Sequence, residues 1–483
     1  MSSENNINQA KSKFISGLWW NTLEKILVKG SSFIVTVVLA RILMPSDYGI
    51  IGMLAIFIAL SNVFIESGFS KALIQKQDAT DIDYSTTFFT NLFIAVLVYW
   101  ILFFSAPLIA SFYDEPLLIP ITRVLFLNII MVSLTIVQNA KLSKAVDFKS
   151  IAKINFAGVL VGGTLGILAA YKGLGVWALV IQTLATSLTK VVVFPMYSKW
   201  FPSLKYSWNS FRNLFGFGSK LLLSGSLAVT INNISTICIG KFYSVAQLGF
   251  YTRAVQFSEI LSNLVYDIVG TVSYPVLSSL QSDRDELLNT YRKSLFYTAL
   301  LSIPMMVLIS VLARPLVIVL LTEKWLPCVL LLQILCLARM YTPLSALNLN
   351  VLNAIGRPDL MLKIELIKMA YGVVMLAVCI PIGVTAIVVG ELISTTISFF
   401  VNTYYPGKLL HYGALKMLKD WRFIILSVLI MVAVVAGFTY IVENPYIQLF
   451  GGAFIGVVTY LVCCILFKQI DLSMVKGIIK KIR

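Results

Sequence analysis

Apolar runs of about 18–25 residues follow one another along nearly the whole chain, and each is long enough, at 1.5 Å per residue, to cross about 30 Å of hydrocarbon. One soluble core cannot bury so many of them: 58% of the residues are hydrophobic, only 12% are charged, and the mean hydropathy is +0.88. A strand barrel would alternate apolar and polar residues, and these runs do not. The pattern predicts an all-α integral membrane protein with about fourteen spans, near 17–43, 48–70, 86–111, 119–138, 151–171, 174–197, 215–243, 248–275, 294–320, 328–350, 360–382, 384–406, 422–441 and 446–467.

Lys and Arg set the expected orientation. With the leader "MSSENNINQAKSKF" inside, one side of the membrane collects Lys11, Lys13, Lys141, Lys144, Lys205, Arg292, Lys416 and the tail "KGIIKKIR", while the other holds Arg41, Lys172, Lys241, Arg314 and Lys324. Both termini are therefore expected in the cytoplasm, and no short apolar segment with a cleavage site suggests a removable signal peptide. Most of the net charge of +16 is thereby explained as topology and contact with membrane lipids, not nucleic-acid binding.

An internal repeat refines the architecture. Arg41-Ile42-Leu43 lies over Lys241-Phe242-Tyr243, Asp47-Tyr48-Gly49 over Gln247-Leu248-Gly249, and Leu60-Ser61-Asn62 with Glu66 over Leu261-Ser262-Asn263 with Asp267. Further on, "SKAVDFKSIAKIN" (143–155) lies over "NAIGRPDLMLKIE" (353–365). Two parallel sets of six helices are expected around a central cavity, with a final helix pair beyond them. The divisions are a leader at 1–14, bundles at 15–200 and 215–406, a linker at 201–214, a loop at 407–421, the extra pair at 422–467 and a basic tail at 468–483. Arg41 and its repeat Lys241 read as interfacial anchors that snorkel at the outer end of a span.

Other charges sit inside the spans, where each costs about 2.5–3.5 kcal/mol and needs a partner, a wet cavity or a task. Asn21, Lys25, Lys29, Ser32 and Thr36 form a polar stripe with Glu24 beside it; Lys220, Ser224, Asn232 and Thr236 form another; Arg253, Gln256, Asn263 and Asp267 form a third. Cations of this kind offer charge-assisted hydrogen bonds to an anionic ligand, and amides and hydroxyls add further polar contacts. Lys25, Lys29, Lys220 and Arg253 are the first substrate-binding candidates, followed by Arg123, Lys153, Arg339, Lys368 and Asn263. The competing reading is local pairing that merely holds helices together. Glu24, Glu66, Asp267, Glu365 and Glu391 are candidates for coupling transport to H⁺ or Na⁺, against simple pairs such as Glu365 with Lys368 or Glu24 with Lys25.

No Gly-x-x-x-x-Gly-Lys loop points to ATP hydrolysis. His411 is the single histidine, the six cysteines have no metal or redox spacing, and no catalytic constellation, metal site or cofactor is expected. "GVLVGGTLG" reads as a small-residue face for helix packing.

The segments "LARILMPSDYGIIGM", "ESGFSKALIQKQD", "GLGVWALVIQ", "LGFYTRAVQFSE", "SYPVLSSLQSDRDEL", "LTEKWLPCVLLLQILC" and "NAIGRPDL", taken in order over roughly residues 15 to 410, resemble the polysaccharide flippases of the colanic acid exporter type. These belong to the multidrug, oligosaccharidyl-lipid and polysaccharide exporter superfamily. The resemblance implies a bacterial inner-membrane carrier, expected to act as a monomer near polysaccharide polymerase machinery, that moves undecaprenyl-pyrophosphate-linked oligosaccharide to the outer leaflet by alternating access. A cation-coupled drug antiporter of the same superfamily is the alternative, though its cavity would favour carboxylates and aromatics. A polymerase or ligase would be expected to carry a large outer loop, and the expected outer connections are short.

Overall fold

The computed structural model describes residues 27–66, 73 and 78–469, and every regular element among them is helical. Lipid offers no partner to a backbone N–H or C=O, so an apolar chain must satisfy these groups within its own helices. In chain order the elements are α1 (27–42), α2 (Pro45–Glu66), α3 (Asp81–Tyr113), α4 (Leu118–Leu125), α5 (Leu127–Lys144), α6 (Phe148–Tyr171), α7 (Trp177–Ser198), α8 (Trp208–Phe242) and α9 (Val245–Ser279). They continue with α10 (Arg284–Val311), α11 (Ala313–Leu321), α12 (Cys328–Arg339), α13 (Thr342–Ala354), α14 (Pro358–Cys379), α15 (Val384–Leu410), α16 (Ala414–Asp420), α17 (Arg422–Ile441) and α18 (Pro445–Leu466).

Among the described residues, ten stretches are long and apolar enough to cross a membrane, with α4–α5 and α12–α13 each counting as one broken span. Helices also occupy the four other expected positions, at α1, α8, α9 and α14. Of these, α8 and α9 carry intramembrane polar stripes, α14 carries Lys363, Glu365 and Lys368, and α1 is described only from residue 27.

Polar caps lengthen several helices beyond the apolar run. Thr80 and Asp83 form a capping box that starts α3 ahead of the expected residue 86. The Asp283 carboxylate accepts from the backbone N–H groups of Asp285 and Glu286 and starts α10 at Arg284, ten residues before the expected span.

The repeat is visible in the backbone. The fourth span is broken in both sets, between α4 and α5 and between α12 and α13. Left-handed or other positive-φ residues recur in register: Asp114 with Thr322, Val146 with Gly356, Gly173 with Gly383, and Lys199 with His411.

The chain divides into two compact units, residues 1–249 and 250–483. In the first, α8 packs on α2 and α3, so the helix that opens the second repeat set belongs with the first unit. Gly158, Gly162 and Gly166 press α6 against α7 at Thr186, Gln182 and Lys190. The connection after α7 is tied down: Trp200 is buried edge-on to Tyr84 and Phe88, Ser203 N–H donates to Ser85 Oγ at 3.0 Å, and Ser207 N–H donates to Thr86 Oγ1 at 3.1 Å.

In the second unit the core joins α10 to α13, α15 and the final pair, through Tyr291, Leu295, Ala299, Leu347, Phe399, Trp421, Ile424 and Val428. Gly452 and Gly456 let α18 close on Leu312 and Leu308, and the Tyr460 hydroxyl donates to the Leu300 carbonyl at 2.8 Å. The extra pair is thus an integral part of this unit.

Candidate functional site

The charged residues read from the sequence fall into different settings. Glu24 and Lys25 lie outside the described residues, as do the side chains of Glu66 and Lys220 on helices α2 and α8. Lys29 is exposed on α1. Lys153 is exposed near the start of α6, and Asn263 is exposed on α9. Lys368 donates to Glu365 at 2.7 Å, one helical turn away, which is the local pair expected as the competing reading. Arg123 lies in the last turn of the half-helix α4, with its guanidinium 4.5 Å from the centre of the Phe103 ring.

Arg253 is buried to 9% exposure and donates to Gln256 one turn along α9, while Asp267 is half-buried three turns further on. The outward members of this stripe are Gln256 and Asn263, with Ile260 between them. Arg253 therefore sits behind the polar face that the spacing assigned to it.

Arg339 has the most elaborate surroundings. It closes α12 at a break near the middle of the 328–354 span. Pro343 accounts for the break, because proline has no N–H to give to the carbonyl four residues earlier, which is that of Arg339, and its ring crowds that carbonyl. The freed acceptor is taken by Ser262 of α9, whose hydroxyl donates to it at 3.0 Å, and Ser302 of α10 donates to the next carbonyl, Met340, at 3.1 Å.

The guanidinium is held between helices: one terminal nitrogen is 2.8 Å from Glu391 of α15 and the other 3.2 Å from Glu259 of α9. The Arg339 and Glu391 side chains are 20% and 19% exposed, whereas Glu259 is 41% exposed. Nε of Arg339 and the second oxygen of Glu391 are buried with no hydrogen-bond partner among the described residues. The sequence reading separated Arg339, as a substrate ligand, from Glu391, as an ion-coupling group, and omitted Glu259. Its spacing from Gln256 and Ser262, three residues either way, was the available signal.

Two cations are thus placed in the last turns of broken half-helices, one against an aromatic face and one between two carboxylates, and each has a buried Nε with no hydrogen-bond partner among the described residues. Interrupted helices of this kind survive in a membrane only where the loose backbone is buried in protein or lines a hydrated path. A lateral groove of about 470 Å³ between α14 and α15, lined by Ile367, Ile397, Phe400, Val401, Tyr404 and Tyr405, has no charged group in its wall. Among the described residues no cluster of His, Cys, Asp and Glu is arranged to hold a metal.

This is a polytopic membrane protein with the fold of a transporter. Over 93% of its length it superimposes on a structure of the lipid II flippase MurJ in an inward closed conformation, at TM-score 0.74, 15% identity and 98% coverage of that chain. It also matches an inward-facing multidrug resistance MATE family transporter of the MOP superfamily at TM-score 0.61, with 15% identity over 80% of this chain and 94% of the other.

The chain belongs to the polysaccharide biosynthesis protein family, whose model matches residues 38–330. Among its relatives, the teichuronic acid biosynthesis protein TuaB of Bacillus subtilis is 26% identical over 72% of each chain. The lipopolysaccharide biosynthesis protein WzxC of Escherichia coli is 22% identical over 81% of each chain. The succinoglycan biosynthesis transport protein ExoT of Rhizobium meliloti is 24% identical over 93% of this chain and 92% of its own.

Proposed function

We propose that the protein is a flippase that carries a pyrophosphate-linked oligosaccharide lipid, of the undecaprenyl kind, across a bacterial inner membrane by alternating access. The observation that carries the reading is membership of the polysaccharide biosynthesis family in a chain with a transporter fold. The names of its relatives attach them to teichuronic acid, lipopolysaccharide and succinoglycan. The intramembrane cations agree with an anionic headgroup, since guanidinium and ammonium groups bind phosphate oxygens through charge-assisted hydrogen bonds. The distribution of Lys and Arg supports cytoplasmic termini.

Lys25, Lys29, Lys220, Arg253, Arg123, Lys153, Arg339, Lys368 and Asn263 are the proposed substrate contacts. Glu24, Glu66, Asp267, Glu365 and Glu391 are the proposed groups through which an H⁺ or Na⁺ gradient drives the cycle. The protein is taken to work as a monomer, alongside polymerase machinery that consumes its product.

Reconstitution in liposomes containing a pyrophosphate-linked oligosaccharide lipid tests the proposal directly. Transfer between leaflets by wild type, reduced in Arg253→Ala and Lys29→Ala, supports it, and dependence on an imposed gradient identifies the coupling ion. Wild type that moves no such lipid under any gradient but exports a small organic cation identifies a drug antiporter instead.

A further inference from the structure

On the flippase reading, we infer that Arg339 is the intramembrane receptor for the substrate's pyrophosphate, that Glu259 is a carboxylate the substrate displaces, and that Glu391 keeps the guanidinium aimed. The two ion pairs on Arg339 are unequal. Glu391 is the closer partner, at 2.8 Å, and is as enclosed as the arginine itself; Glu259 stands at 3.2 Å and is twice as exposed, at 41%. The planar fork of a guanidinium presents two parallel N–H edges, so one face can remain bound to Glu391 while the other exchanges its acceptor.

The polar surroundings of Glu259 suit a hydrated path better than lipid. On α9 it is flanked by Gln256 and Asn263, both exposed, and a helix face that showed Gln, Glu and Asn to lipid would cost several kcal/mol. Such a polar face belongs against water or a polar ligand. Displaced from Arg339, the Glu259 carboxylate can turn along that face and remain solvated.

The setting of Arg339 at a helix break supplies the remaining requirement. The guanidinium sits near mid-span, where a negatively charged headgroup has the fewest other partners, and its backbone is pinned by Ser262 and the Pro343 break. With both carboxylates ionised the cluster carries one net negative charge, which would repel a pyrophosphate. Moving Glu259 aside leaves Arg339 and Glu391 balanced before the anion arrives, so occupation by Glu259 prevents adventitious anions from lodging in the path.

Glu259→Gln and Glu391→Gln should therefore act in opposite directions. Binding of undecaprenyl pyrophosphate to the purified full chain in nanodiscs, measured beside leaflet-to-leaflet transfer in liposomes, reads both effects. Glu259→Gln removes the competitor, and its affinity is expected to rise about tenfold, while transfer slows because release is slowed. Glu391→Gln leaves Arg339 unaimed, and affinity falls by about the same factor. Arg339→Lys keeps the charge and loses the fork, and also weakens binding; it guards against misfolding of a charge-deleted variant. If wild type binds and transfers the lipid but the two glutamine variants move affinity in the same direction, the assignment fails while the flippase reading stands. If wild type neither binds nor transfers it, both fail.

Discussion

Gly49 and Gly249 face one another across a helix crossing in which each leaves room for a hydrogen and nothing larger. A Cβ on Gly49 would overlap the Val245 carbonyl, one on Gly249 would overlap the Pro45 carbonyl, and the latter would also lie 3.3 Å from the Gly49 nitrogen. Pro45 and Val245 open α2 and α9, and they are repeat partners just as the two glycines are, so the contact is self-complementary in the manner of a two-fold interface.

Substitution at this crossing must push the two backbones apart. Gly49→Val and Gly249→Val are each expected to destabilise the protein by about 1–3 kcal/mol, read as a lowered thermal midpoint of the detergent-solubilised chain. Because either change separates the same pair of helices, the double variant should lose less than the two together. Additive losses would show that the glycines act at independent contacts.

Val146 and Gly356 offer a second use of the repeat. They occupy equivalent turns with φ of +58° and +73°, a region where a β-branched side chain is crowded and glycine is not. Val146→Gly should stabilise by about 1 kcal/mol or leave stability unchanged, whereas Gly356→Val should lower it by about 1–2 kcal/mol. Denaturation of both variants checks the sign, and a clear loss in Val146→Gly would mean that its side-chain packing outweighs the backbone strain.

The connection between α7 and α8 is held by side chains of α3. Replacing Ser85 with Ala and Thr86 with Val deletes the acceptors for the Ser203 and Ser207 N–H groups. Limited proteolysis should then cut between residues 201 and 206 several-fold faster than in wild type, since open backbone is what a protease needs. Unchanged cleavage would assign the hold to Trp200 packing alone.

Asp420 predicts a pH dependence. It accepts from Arg292 at 2.7 and 2.8 Å and from the Tyr412 hydroxyl at 2.7 Å. Burial by itself would raise this carboxyl, but the hydrogen bonds from Arg292 and Tyr412 and the guanidinium charge outweigh it and hold it below the usual aspartate range. A carboxyl lowered on folding contributes stability above its unfolded value and loses it as pH falls through its folded one. The thermal midpoint should therefore drop on acidification below the usual aspartate range, and Asp420→Asn should flatten that part of the profile while lowering the midpoint at neutral pH.

The membrane class, the duplicated helix sets and most helix positions were legible in the sequence, because lipid forces apolar chain into helices of one length and a repeat needs only an alignment to be seen. Helix ends were less so: α10 extends ten residues past its apolar run because Asp283 caps it and a charged first turn is free to stand beyond the hydrocarbon. The lone pair of Lys368 and Glu365 was also within reach, being a matter of spacing on one helix. The centre at Arg339 was not. Periodicity tells which residues share a face of one helix, but the meeting of Glu259, Arg339 and Glu391 depends on how three sequence-distant helices pack, and on a proline break that turns one of them at its middle. Charge inside a span announced that partners had to exist, and tertiary packing alone chose them.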